Sequence, residues 1–558
     1  MASSKDKFDH FVTQAVHLIL ERFPNEEIYT CESGATPSGK IHLGNLLDLT
    51  LCDGVLRELS DMGYKARHIL FIDSQDPLRR LPVFVPKEFV EKEDEFKGFP
   101  LEDLPDLWGC HESYAEHFVS PVREHAADFG IELEILFAGE FHRRKEYVEE
   151  VKFVFENRKR FIEILNKVRS AAGHKTLYPE DWIPYMPICN SCGRIAEWAV
   201  KPTYIDGYKV GYHCDVCNED GEVDIRDGRG KLPWRLEWPA RWKIFHVNFE
   251  PLGKDHLAAG SSFDTGRAVL KEIWNRSEPV SIFYDFVYIR SPDGKLLKMS
   301  KRKGIGLGLD EWLEIAPPEA YRFNVFRHML EDVRTSALPH WEFDYKRVFE
   351  LVDRYDWGER IYFNVDEEVE KVDENVRRRI VKAYLLSQVD KPPSKLPLQL
   401  PYRFAAVLSQ ILDEDREEER LISILRRTGY ITDGISKEDL VNVKKRIKMA
   451  RKWIELYAPE YKLKVIEELP AEIKSSLSEK QRKALGLLAE ALRSRTWTEN
   501  ELFNEFYNII KSVGLSSKEF FEAAYMVLLG KKSGPRLAGL LLSLEKEWVI
   551  KRFKEVGK

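Results

Sequence analysis

One stretch, residues 28–73, limits what this chain can fold into more than any other. Ile28-Tyr29-Thr30-Cys31 is a short β-prone run followed by the turn-rich Glu32-Ser33-Gly34-Ala35-Thr36-Pro37-Ser38-Gly39. Ile41, Leu43, Leu46, Leu47, Leu49, Leu51, Val55, Leu56 and Leu59 then recur at mainly helical spacing. A second β-prone run, 66–73, returns at the distance of a βαβ crossover, the connection that parallel strands require. The chain is therefore expected to build a parallel α/β sheet. A helix near 111–129, a strand over 131–137 and a long amphipathic helix over 147–171 continue the alternation. It stops at 178–230, where Pro184, Pro187, many glycines and two cysteine pairs mark a small inserted module. Buried strands at 243–248 and 280–289, with a helix over 268–274 between them, resume the sheet.

Past 391–401, a linker with four prolines, apolar residues keep helical spacing almost to the end. The C-terminal part is expected to be all-helical. It carries 30 Lys+Arg against 24 Asp+Glu over 401–558, whereas the chain as a whole has a net charge of −7, so this part is the better partner for a polyanion. With 43% hydrophobic residues there is ample material for several cores, and no apolar run is long enough to span a membrane. The N-terminus does not read as a secretory signal, so a cytoplasmic location is expected. The cysteines agree with this: four lie in two close pairs, and Cys31, Cys52 and Cys110 are scattered singly, which is no disulfide framework.

Thr36-Pro37-Ser38-Gly39-Lys40-Ile41-His42-Leu43-Gly44-Asn45 falls where the first strand turns into a helix. Backbone N–H groups at such a start face a phosphate, Gly44 permits close approach, and His42 and Asn45 share a helical face and can donate to one anion. The competing reading is an ordinary helix start. Gly294-Lys295-Leu296-Leu297-Lys298-Met299-Ser300-Lys301-Arg302-Lys303-Gly304 is a basic, glycine-bounded segment able to fold over a triphosphate, or else a solvated loop. Cys189-Asn190-Ser191-Cys192 and Cys214-Asp215-Val216-Cys217 are two Cys-x-x-Cys knuckles, the pattern of tetrahedral structural zinc. A degenerate metal-free ribbon, or His213 in place of one cysteine, are the alternatives.

The two phosphate-directed motifs, in this order across an interrupted sheet, resemble the signature motifs of class I aminoacyl-tRNA synthetases. More narrowly, 33–39 before the histidine, Leu232-Pro233-Trp234-Arg235-Leu236-Glu237-Trp238-Pro239-Ala240-Arg241-Trp242, Gly253-Lys254-Asp255-His256 and Phe263-Asp264-Thr265-Gly266 resemble the class I lysyl-tRNA synthetases. The resemblance runs from about residue 26 to the C-terminus and departs at Arg302, where the second motif more often continues with serine. It implies an N-terminal helix at 1–25, a Rossmann-like catalytic domain at 26–178 and 233–305, and a zinc-binding insertion at 179–232. A connecting domain at 306–395 and a helical anticodon-binding domain at 396–558 complete the expected order.

The same resemblance implies ATP-dependent joining of lysine to tRNA through lysyl-adenylate, with magnesium accompanying ATP. His42, Asn45, Lys298 and Lys301 are the implied catalytic residues. Pro37, Ser38, Gly39, Gly44, Asp255, Met299 and Ser300 complete the implied ATP site with His42, Asn45 and Lys301. Where the architecturally related glutamate and glutamine enzymes carry an arginine upstream of the turn, this chain has Glu32-Ser33-Gly34. A lysine ammonium needs acceptors or an aromatic face, which makes Glu32, Gly34, Thr36, Trp234, His256 and Tyr284 the candidates for lysine binding. Trp497, Lys531, Lys532 and Arg536, together with Phe503 and Tyr507, are candidates for tRNA contact. The chain is expected to act as a monomer. Competing classes are a glutamate or glutamine ligase, a nucleotidylyltransferase and a non-catalytic zinc-containing RNA-binding protein.

Overall fold

The computed structural model describes residues 10–291, 294–330, 332–365 and 371–557. The chain divides into two compact units. One comprises Met1–Trp312, Tyr321–Asp344 and Asn364–Pro392, the other Leu313–Ala320, Tyr345–Phe363 and Pro393–Lys558.

In the first unit four parallel strands lie in the order Glu134–Phe137, Ala66–Ile72, Tyr29–Ala35, Val247–Phe249. Tyr29–Ala35 is buried at six of its seven positions, as a central strand covered on both faces must be. Helix Leu43–Asp61 is the crossover between the first two strands and is itself packed by helix Phe11–Arg22. The strand at Val247–Phe249 pairs with Tyr29–Ala35 only after the whole insertion has been traversed, so the sheet is interrupted and then completed. The insertion is a three-stranded antiparallel sheet, Val200–Asp206, Lys209–Cys214 and Glu219–Asp224, closed at its base by Met186–Pro187 against Gly230–Lys231.

Three expected elements are different. The helix over 147–171 is two helices, Lys145–Glu156 and Arg158–Ala171, interrupted at Asn157. Residues 243–244 end a helix, Trp234–Ile244, and His246 turns through the left-handed region (φ 53°) before the strand begins at Val247. The strand over 280–289 is split into Phe283–Tyr284, paired with Leu252–Gly253 and Ala337–Leu338, and Val287–Arg290, paired with Leu296–Lys298 and Trp341–Phe343.

Among its described residues the second unit contains helices and no strand. Ser478, Thr498 and Ser516 each close a capping box with Gln481, Glu501 and Glu519, so three successive helices have defined starts. Gly514 and Gly530 end two of them in the left-handed conformation that glycine adopts without strain. No described helix is long and apolar enough to cross a membrane.

Candidate active site

The turn after Tyr29–Ala35 ends at His42, the N-cap of helix Leu43–Asp61. His42 Nδ1 accepts from the Gly44 N–H at 3.1 Å, and Asn45 Oδ1 accepts from the His42 N–H at 3.4 Å. This capping box fixes the imidazole tautomer: with Nδ1 an acceptor, the proton sits on Nε2 and points away from the helix. Burial, helped by Lys301, pushes the His42 pKa down to about 3, so the ring is a neutral donor. Asn45 retains its amide N–H groups as donors. Both side chains thus serve the helix start and still present donors to an anion.

Residues 296–298 and 287–290 form an antiparallel ladder that delivers the second motif. Lys301 Nζ donates to the Thr36 carbonyl at 2.9 Å, so the two motifs meet although 265 residues separate them. Burial lowers the Lys301 pKa to about 8, while Asp48 and Asp73 pull it upward. Lys298 projects its ammonium over the Phe286 ring, 3.0 Å from the centroid. Met299 is buried, and Ser300 bridges to Ile305 across the tip of the loop. Gly39 allows the contact, since a Cβ there would lie 2.7 Å from the Lys301 carbonyl oxygen. Gly39→Ala is therefore expected to hold the loop off the turn and lower kcat/KM for ATP by roughly 10- to 100-fold while the thermal midpoint is unchanged, as measured by steady-state kinetics and calorimetry.

Below the turn lies a buried charge cluster. Arg241, fully buried on helix Trp234–Ile244, contacts Glu32 (Nε to Oε1, 3.1 Å) and Asp73 (Nη1 to Oδ1, 2.8 Å) and stacks on Phe71. Glu32, a lysine-binding candidate from the sequence, shares this internal guanidinium with Asp73. Its two oxygens nevertheless accept no hydrogen bond among the described residues. Burial raises Glu32 to about 7 and Asp73 to about 6 against the pull of Arg241. Glu250, hydrogen-bonded to the indoles of Trp238 and Trp242, is raised further by burial. Lys231 and His142 hold Glu237 down at about 2 against the cost of burial.

Trp234 stacks on Trp238, which His256 meets edge-on at 5.1 Å. Tyr284 is hydrogen-bonded to Asp48, a buried carboxyl raised to about 7. Gly34 is exposed with open space at its Cβ position, and Asp255 lies exposed on the short helix Lys254–Leu257. Ser38 accepts a long hydrogen bond from the Tyr114 hydroxyl through its carbonyl, which ties Pro37 and Ser38 to the first unit's helix Tyr114–His125.

The four knuckle cysteines converge, with Sγ–Sγ distances of 3.6 Å for Cys189–Cys217 and Cys192–Cys214. Those are far from a disulfide and close to the edge, about 3.8 Å, of a zinc–thiolate tetrahedron. His213 stands outside, bonded to Asp220, which removes it as a substitute ligand. The sequence reading missed a second cluster. Asp106, Cys110, His111 and His117 bring one donor atom each to within 4.8 Å of one another. Cys110 Sγ lies 3.1 Å from His111 Nδ1 and 3.3 Å from His117 Nδ1, and Asp106 lies 3.2 Å from His117. Cys110 is thus not an isolated cysteine; four donors within twelve residues of an irregular segment were the available signal. Arg241, Asp73, Glu250 and Asp48 were also missed, since nothing local in sequence distinguishes them from helix and strand residues.

In the second unit Trp497 is core, 6% exposed, with its indole donating to Ala491 and its ring stacked by Arg495. Trp497, a candidate for tRNA contact from the sequence, thus lies in the core of this unit. Lys531, Lys532 and Arg536 are exposed.

Residues 9–385 match the family model described as tRNA synthetases class I (K), and residues 403–556 match that of an anticodon binding domain. The chain is 40% identical over 555 residues to a lysine–tRNA ligase of Pyrococcus horikoshii, covering 98% of this chain and 100% of that one. It is 38% identical to a lysine–tRNA ligase of Methanocaldococcus jannaschii, covering 97% and 98%. The meeting of the two motifs at one site and the family match over the catalytic part lead to one assignment: the chain belongs to the class I lysyl-tRNA synthetases.

Proposed function

We propose that the site formed by the turn at 36–45 and the loop at 298–301 joins L-lysine to its tRNA in two steps. A carboxylate oxygen of lysine attacks the α-phosphorus of ATP, the bond to the bridging oxygen breaks, and pyrophosphate leaves with its charge. A hydroxyl of the terminal tRNA ribose then attacks the lysyl carbonyl and AMP departs. No protein nucleophile takes part, so rate comes from alignment and from charge placed in advance. His42 Nε2–H and Asn45 hold the ATP phosphates beside the backbone of Pro37, Ser38, Gly39 and Gly44. Lys301 and Lys298, with Met299 and Ser300 fixing their loop and Asp255 beside it, neutralise the departing pyrophosphate. ATP enters as its magnesium complex.

The observation that carries this reading is the Lys301–Thr36 contact, which seats a cation on the phosphate-directed turn. Lysine selection follows from the charge cluster. Glu32 and Asp73 share one guanidinium, Arg241, and Glu32 has unused acceptor capacity, so a buried ammonium completes the balance where a glutamate side chain would be repelled. Trp234, His256 and Tyr284, with Gly34 and Thr36, form the remaining walls. The test is stoichiometric: one AMP and one pyrophosphate per lysyl-tRNA, with no AMP formed when lysine is omitted. AMP release without lysine contradicts the reading.

Two structural zinc ions fit the donor sets, one on Cys189, Cys192, Cys214 and Cys217, the other on Asp106, Cys110, His111 and His117. Each set closes the coordination with four protein donors, so the metal supplies folding energy to the insertion and to the segment before helix Tyr114–His125 rather than chemistry. Metal analysis is expected to give two zinc equivalents per chain, one in Cys214→Ser and one in His117→Ala. A value below half an equivalent for the native protein, with no tight uptake of added zinc, overturns both assignments.

A further inference from the structure

Between strand Ala66–Ile72 and helix Tyr114–His125 the chain builds a small core of its own, in which Leu78, Leu81, Val85, Leu104, Tyr114 and Phe118 are buried together. The Leu78 N–H donates to the Phe99 carbonyl at 2.8 Å and the Gly98 N–H to the Leu78 carbonyl at 2.9 Å, so the segment closes on itself. Val83 and Phe84 stand outside this core, 68% and 38% exposed, although Pro82 and Val85 on either side of them are buried. Two apolar side chains turned outward side by side call for a partner.

Both residues lie against the second motif. The Val83 N–H donates to the Arg302 carbonyl at 3.0 Å. A Cβ on Gly304 would lie 2.8 Å from Phe84 Cδ1, and Gly304 is left-handed at φ 60°, so the loop backbone packs directly on the ring. Behind it Phe84 meets Phe118 edge-on at 6.2 Å and Trp108 at 6.3 Å, and Trp108 stacks on His117 of the second donor cluster at 4.1 Å. Tyr114 of the same core donates to the Ser38 carbonyl at 3.4 Å. One core therefore touches both the turn at 36–45 and the loop that carries Lys298 and Lys301. Its contact on the loop falls one residue beyond Lys301, which itself reaches Thr36. Because the acceptor is a backbone carbonyl, the contact does not depend on the arginine by which this chain departs from the usual motif at 302.

We infer that Phe84 and the Val83 N–H are positioning groups that hold residues 300–304 against the turn at 36–39 before ATP binds, so that Lys301 is already in place. This rests on the reading of the protein as a tRNA ligase. Neither group touches the reacting atoms. They act through the fraction of molecules with the loop seated, which scales the apparent affinity for ATP and leaves the chemistry of bound ATP as it is.

The loop supplies its own reporter, since Lys301, Arg302 and Lys303 are trypsin sites. Native protein, Phe84→Ala, Phe84→Tyr and Gly304→Ala are digested without ligands, and cleavage after residues 301–303 is timed by mass spectrometry. Cleavage in Phe84→Ala is expected to be roughly 3- to 10-fold faster, with Phe84→Tyr near native. In lysine-dependent ATP–pyrophosphate exchange the KM for ATP should rise by a similar factor, while kcat and the KM for lysine stay within about twofold of native. Gly304→Ala presses a methyl group on the ring and should give both effects with the small core untouched. Unchanged cleavage and unchanged KM for ATP in Phe84→Ala and Gly304→Ala overturn the inference. So does a fall in kcat and thermal midpoint with KM for ATP unchanged, the mark of a ring that serves stability alone. The digestion needs no substrate, so it decides on these contacts even where the ligase reading fails; that failure shows separately, as no lysine-dependent exchange by the native protein.

Discussion

Lys301→Ala is expected to lower kcat for lysyl-tRNA formation by roughly 100- to 1,000-fold with the fold intact, the cost of removing one preorganised charge-stabilising donor. The side chain makes one hydrogen bond, to a carbonyl, and its burial disfavours its charge, so its removal does not strip the core of a needed partner. The pH dependence is part of the same prediction. With the ammonium pKa lowered to about 8, the free protein loses that charge as pH rises through this value, and kcat/KM for ATP should fall above it. In Lys301→Arg the fall should disappear, because a guanidinium does not titrate there. Pre-steady-state charging of tRNA at pH 6.5 to 9.5 checks both parts. A kcat within threefold of native in Lys301→Ala would remove Lys301 from the chemistry.

Arg241→Met is expected to act on the fold before it acts on catalysis. Glu32 and Asp73 would be left buried without a countercharge, a loss of about 3–5 kcal/mol when one partner of a buried pair is removed. Urea denaturation should show this as a lower midpoint. The companion variant Arg241→Met/Glu32→Gln/Asp73→Asn should recover most of the loss, since it removes the charges together. Recovered stability with lysine charging still absent is the expected signature of a cluster that both ties the two inner strands to helix Trp234–Ile244 and selects the amino acid. Full lysine charging in the companion variant would place selection elsewhere.

Much of the architecture is legible in sequence because the βαβ unit at 28–73 and the cysteine knuckles are local patterns with few structural solutions. The errors have local causes too. Periodicity continues unchanged across Asn157, so the break between helices Lys145–Glu156 and Arg158–Ala171 leaves no mark on it. Residues 243–248 are a short apolar run that fits strand or helix equally, and packing of Trp238 and Trp242 carries the helix through Ile244. Trp497 looks like any RNA-facing aromatic until its burial is known. The site shows the same division. His42, Asn45, Lys298 and Lys301 are visible as motifs. Arg241 meets Glu32 and Asp73 only because three separate elements converge, and no spacing rule along the chain encodes that.

The most direct measurement is aminoacylation of purified tRNA by the native protein with lysine, glutamate, glutamine and arginine in parallel, beside His42→Ala. Charging is expected with lysine alone, reduced roughly 100- to 1,000-fold in His42→Ala, where both the cap and the phosphate donor are lost. Charging with glutamate or glutamine in preference to lysine would contradict the charge-cluster argument, and no charging of any amino acid would contradict the proposed function itself.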